Sequence, residues 1–220
     1  MLVALNPQEL ERCAAFSRTC AENQQEIEFG QSDTVPRKVR EIARDNLIGK
    51  IAEVAFAKML SERHNLEAAL DFEYYPRGKW DGQDTVINGW KIDVKGTRQG
   101  GQWMLIEWSK LNFRQKDNDL PHLFVMASVK WDRKNDRPTG EVDLVGSASI
   151  FKLRPGQKNT LILKKGDCIP GARTPTPLQA DNYGIHFDNL EHDWDFVVRY
   201  LLAHEPPDVG GCPCPKQIFG

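Results

Sequence analysis

Residues 81-DGQDTVINGWKIDVKG-96 read as a β-hairpin. Asn88-Gly89 is the strongest two-residue hairpin signal, because both central positions of a type I′ turn need a positive φ. Counting outward from that turn pairs Ile87 with Trp90, Val86 with Lys91, Thr85 with Ile92 and Asp84 with Asp93. Directly opposed side chains have Cβ atoms about 4.5–5.5 Å apart, so two carboxylates there repel unless a positive charge sits between them. Mg²⁺ suits that place, being a hard ion held by one or two carboxylates together with phosphate and water. Strand alternation puts Asp93 and Lys95 on one face and sends Ile92 and Val94 to the other. Two acids and a lysine form a compact site suited to phosphodiester hydrolysis, in which a metal lowers the pKa of bound water and the lysine stabilises developing charge. Asp81 competes as the first acid, but only Asp84 faces Asp93 in this register.

Outward from the hairpin, helical and strand periods alternate. Asn6, Pro7 and Glu9 form a helix start, and residues 7–25 are expected to be helical. A second helix runs from Pro36 to about Arg63, with Leu47, Ile51, Ala55 and Met59 at helical spacing. Its cationic first half (Arg37, Lys38, Arg40, Arg44) reads first as a solvated face and second as a phosphate-facing one. Phe72–Tyr75, Trp103–Trp108, Leu123–Trp131, Glu141–Val145 and Thr160–Leu163 are strand candidates, with a turn over Asn135–Gly140. Asp193–His204 predicts a closing helix, and the tail from Glu205 has little to bury. The order helix, strands, helix implies an α/β domain built around one sheet, with residues 1–204 as a single domain and 205–220 as a Cys/Pro/Gly-containing tail.

Here the residues resemble the PD-(D/E)XK nuclease superfamily: an acid opening one strand (Asp84), then acid-x-lysine (Asp93-Val94-Lys95) on the next. The stretch 49-GKIAEVAFAKML-60 is similar to the helix that precedes this hairpin in many members, which makes Glu53 a third site residue. The segments 122-HLFVMASVKW-131 and 141-EVDLVG-146 are similar to the strands that follow. The resemblance covers about Arg37 to Leu153, with Tyr183–Leu202 similar to a closing segment. Gln83 stands where the motif's proline would be. The resemblance implies a restriction-endonuclease-like α/β/α core with a central mixed sheet. It further implies Mg²⁺ dependence, with Mn²⁺ able to substitute, and a DNA substrate. Asp84, Asp93 and Glu53 would bind metal, and Lys95 would position or activate water.

The rest of the chain bounds this reading. Its 220 residues are 40% hydrophobic and 27% charged, which allows a sizeable core. The net charge of −2 neither suggests nor excludes nucleic acid. No apolar run spans a membrane, and the first residues lack a basic leader, which favours an intracellular, cytoplasmic protein. Five cysteines at irregular spacing read as reduced thiols. Cys212-Pro213-Cys214 invites a metal reading, but the spacing matches neither an iron–sulfur nor a zinc pattern well. Of Trp80, Trp103, Trp108 and Trp131, most are expected in the core. Arg98, Gln99, Gln102 and Lys110 could touch phosphates. The leading expectation is an endodeoxyribonuclease of restriction or defence type, dimeric if it breaks both strands. A repair or recombination nuclease, an exonuclease, and a silent nuclease-like module that binds nucleic acid are the alternatives.

Overall fold

A computed structural model describes residues 1–25, 38–74, 84–111, 120–153, 159–172 and 177–209. The fold over these residues is α/β. Its elements are β1 (Leu2–Ala4), α1 (Pro7–Gln25), α2 (Val39–His64), β2 (Thr85–Ile87), β3 (Trp90–Arg98) and β4 (Trp103–Glu107). They continue as β5 (Leu123–Asp132), β6 (Arg137–Ser149), β7 (Thr160–Leu163), β8 (Asn182–His186) and α3 (Trp194–Ala203). One sheet was expected and two are present, a five-stranded sheet in the order β1-β6-β5-β3-β2 and a three-stranded sheet in the order β4-β8-β7. The chain divides into two compact units that interleave along the sequence. The first comprises Met1–Thr85, Val94–Gly100 and Met126–Leu144, the second Val86–Asp93, Gly101–Val125 and Val145–Gly220.

In the first unit α1 starts where the sequence requires. Asn6 Oδ1 accepts from Glu9 N–H at 2.9 Å, and Glu9 Oε2 accepts from Asn6 N–H at 2.6 Å, a reciprocal cap that satisfies two otherwise unpaired donors. The helix buries Cys13, Ser17, Cys20 and Ala21, and Ser17 Oγ donates to the Ala43 carbonyl of α2 at 2.7 Å. In α2 the residues Ile51, Ala52, Ala55 and Leu60 are fully inaccessible, and Asn65 closes the helix in the left-handed region at φ 53°. Gly96 of β3 lies tight under this helix, since a Cβ there would come 2.7 Å from the Ile48 carbonyl oxygen. Glycine is what lets strand and helix backbones approach so closely. The unanticipated strand β1 pairs antiparallel with β6, Val3 opposite Val142.

In the second unit β8 pairs antiparallel with both β4 and β7. Gly184 permits this close packing, because a Cβ there would meet Leu163 Cδ1 at 2.9 Å. Helix α3 is capped by Asp193, whose carboxylate accepts from Phe196 N–H. It buries Trp194, Val197, Val198 and Leu201, an i, i+3, i+4, i+7 stripe.

Three expectations need correcting. Phe72–Tyr74 is not a strand; the Phe72 ring packs edge-on against Phe16 of α1 at 6.0 Å and lies under the Arg12 guanidinium, so the segment's partners are helical side chains. The β5–β6 turn is Arg133–Asp136, with Asp136 at φ 47°, and Arg137–Gly140 already belongs to β6. The start of the tail does have something to bury, since Val209 is buried and Pro206 lies against the Asn88-Gly89 turn. Tyr75, Trp80, Asp81, Cys212 and Cys214 lie outside the described residues, as does the start of the second helix at Pro36.

Candidate active site

The hairpin forms on the residues that predict it. Asn88 and Gly89 sit at φ 47° and 80°, the two positive values a type I′ turn needs. Asn88 Nδ2 donates to the carbonyls of Leu201, Leu202 and His204 at 3.1–3.3 Å, so the turn satisfies the open end of α3 as well. Trp90 Nε1 adds a bond to the His204 carbonyl at 2.8 Å.

Asp84 immediately precedes β2, and its Oδ2 accepts from the Val94 N–H at 2.5 Å. This charge-assisted bond fixes the carboxylate against the peptide that joins Asp93 to Val94. Both faces of β3 are covered at its middle, where Ile92, Asp93 and Val94 are 0%, 5% and 6% exposed. Lys95 is half-buried one residue further on. A carboxylate as buried as Asp93 requires polar partners, and it has them.

Glu53 lies on α2 in the first unit. Lys50, 4% exposed, donates to Glu53 Oε2 at 2.5 Å and to the Asp71 carbonyl at 2.7 Å. The same ammonium lies 4.5 Å from the Phe16 ring centroid and 5.4 Å from that of Phe72. Burial pushes the nearby Cys13 thiol up to about 12, with Lys50 opposing that shift and Glu53 adding to it. Glu53 thus faces the α1 side of α2. It lies five residues, about 140° around the helix, from the Ile48 contact with Gly96. The Lys50-x-x-Glu53 spacing was legible as an i, i+3 pair, whereas the burial that makes it consequential was not.

Of the residues proposed for phosphate contact, Arg98 and Gln99 are exposed at the end of β3, where Gln99 N–H donates to the Val129 carbonyl at 2.9 Å. Gln102 and Lys110 belong to the second unit and are exposed there, Lys110 in a helical stretch at 108–111. Trp108 is core, but Trp103 and Trp131 are half-exposed. Cys13 and Cys20 are buried free thiols and Cys168 is an exposed one.

A hard cation needs oxygen donors gathered around it. Among the described residues no group of three or more His, Cys, Asp and Glu side chains is placed to hold a metal ion. Two carboxylates are the number Mg²⁺ commonly takes from protein, and carboxylate ligands are themselves oriented by hydrogen bonds such as the one from Val94 to Asp84. The oxygen donors at the hairpin fit the chemistry of that ion. Among the described residues no helix is long and apolar enough to cross a membrane. No protein-family model, curated protein or solved structure matches the chain.

Proposed function

We propose that this chain is a Mg²⁺-dependent endodeoxyribonuclease of the PD-(D/E)XK type, built on a restriction-endonuclease-like core. The observation that carries the reading is the Asp84 carboxylate held by the Val94 amide, beside a strand in which Asp93 and Lys95 are two residues apart. In the register that a two-residue turn dictates, Asp84 pairs with Asp93, and these two carboxylates are the metal ligands. Glu53, the third residue that the resemblance supplies, would assist from α2. Bound Mg²⁺ would supply Lewis acidity and a water activated for attack. The Lys95 ammonium, set on a covered strand, is a fixed positive charge for the phosphoryl oxygens and the attacking hydroxide. Asp93, kept from bulk water, interacts with a cation more strongly than an exposed carboxylate would.

The test is plasmid digestion by purified protein with Mg²⁺, Mn²⁺ or EDTA. Cleavage is expected with either metal, none with EDTA, and at least a 10³-fold loss in Asp93→Ala, on the order of 4 kcal/mol of transition-state stabilisation. Undiminished cleavage by that variant, folded and at matched concentration, would overturn the assignment. Tight DNA binding without cleavage in any metal would favour the silent nucleic-acid-binding module instead.

A further inference from the structure

We propose that an exposed cationic face of the first unit, comprising Arg40, Arg98, Trp131, Arg133, Lys134 and Arg137, grips the phosphate backbone of duplex DNA; the choice of DNA as partner rests on the nuclease reading. The whole chain carries a net charge of −2, so a local excess of cations is not a consequence of composition. Arg133, Lys134 and Arg137 are exposed on the β5–β6 turn and its flank. Among the described residues Arg133 and Lys134 form no salt bridge.

The acids nearby serve the architecture of this face. Asp132 turns toward its own loop and accepts from Lys134 N–H at 2.9 Å, Asn135 N–H at 3.2 Å and Asn135 Nδ2 at 2.6 Å, which stiffens the turn. Asp136 accepts from Trp131 Nε1 at 3.0 Å and from Arg40 Nη2 at 2.5 Å, so one carboxylate ties an indole and a guanidinium together. These hydrogen bonds hold both carboxyls below the usual aspartate range. Two further pairs at the margin, Lys130–Glu141 at 2.6 Å and Arg44–Asp45 at 4.0 Å, are neutral overall. Arg98 stands 5.8 Å over the ring of Trp131. The result is a half-exposed indole within a group of exposed cations at the turn that joins β5 and β6, two strands of the five-stranded sheet, an arrangement suited to phosphate oxygens.

The experiment is fluorescence anisotropy of the full-length protein with a labelled duplex, in EDTA so that nothing is cut, across a NaCl series. Each phosphate contact contributes about 0.9 to the slope of log K against log salt. The triple variant Arg133→Ala, Lys134→Ala, Arg137→Ala is expected to lose about 2–3 from that slope and to bind at least tenfold more weakly near 0.1 M salt. The charge-conserving triple variant Arg133→Lys, Lys134→Arg, Arg137→Lys should keep the wild-type slope. Circular dichroism verifies that each variant is folded. An unchanged slope in the alanine variant, or no duplex binding by the wild type, overturns the proposal. So does tighter, patch-dependent binding to single-stranded RNA or to anionic vesicles. Duplex binding with the expected slopes but no metal-dependent cleavage would sink the nuclease reading and leave this face standing. Cleavage with an unchanged slope would do the reverse.

Discussion

Gly96, the residue that follows the acid-x-lysine motif, is constrained by a helix rather than by chemistry. A Cβ there would meet a backbone oxygen, that of Ile48, at 2.7 Å, and a backbone atom cannot rotate away. Gly96→Ala should therefore cost about 1–3 kcal/mol as overpacking, measured by urea unfolding. As a control, a methyl group at Gly49 of α2 would meet nothing within 4 Å, so Gly49→Ala should be neutral or stabilising by up to about 1 kcal/mol. Equal stability of Gly96→Ala and wild type would mean that the helix does not press on this strand. His122, to which the sequence assigned no role, is a clamp on β3. Its N–H donates to the Lys91 carbonyl and its Nδ1 accepts from Lys91 N–H, both at 2.8 Å. Burial first, then the charge of Lys91, lowers its pKa from 6.5, against a weaker opposite pull from the Pro207 backbone. Below 6.5 the unfolded imidazole takes a proton that the folded one refuses, so stability falls as pH drops from there toward the folded value. In His122→Asn, whose Oδ1 can accept the same N–H without titrating, denaturation midpoints should decline less between about pH 7 and 5. Parallel declines would show that another group carries the effect. At this scale the strand that carries Asp93 and Lys95 was legible, because strand period is local. The burial of the Lys50–Glu53 pair was not, because it depends on what α1 covers.

At the scale of elements, the hairpin turn serves two masters, and this separates Asn88 from other turn formers. Its amide donates to three carbonyls at the end of α3, so a carboxylate in its place would face the negative end of a helix with no proton to give. Asn88→Asp should lose about 1–3 kcal/mol, although aspartate also tolerates the left-handed backbone. Asn88→Gly, which keeps the turn and loses only the bonds, should lose less. A guanidinium melt of both variants checks the order, and Asn88→Asp as stable as wild type would mean that the helix end is satisfied otherwise. The sequence predicted this turn from two residues, and also both long helices and α3, whose caps and apolar stripes are written within a few residues. It misread Phe72–Tyr74, where an aromatic run resembles a strand but Phe72 packs on helix side chains. It also missed β1 and β8, which are short and carry little alternation, and which become strands only by meeting β6, or β4 and β7.

At the scale of the whole molecule, the proposed activity makes a demand on assembly. One site of this type cuts one strand, so coordinated cleavage of both strands requires a second copy related by a two-fold axis. Sedimentation of the protein on a short duplex should show at least a dimer if linear product appears without a nicked intermediate. A monomer giving such breaks would refute this. The α/β class, the presence of the three helices, the Asn-Gly turn and the strand that carries Asp93 and Lys95 were determined by the sequence alone, since each depends on periods or caps spanning a few residues. The division of the strands into two sheets, the helix lying on Gly96, the burial of Lys50 beside Phe16 and Phe72 and the cations gathered around Trp131 were decided only by tertiary structure. These join residues tens of positions apart, and which distant partner a strand edge, a carboxylate or an indole finds is set by packing that no local period encodes.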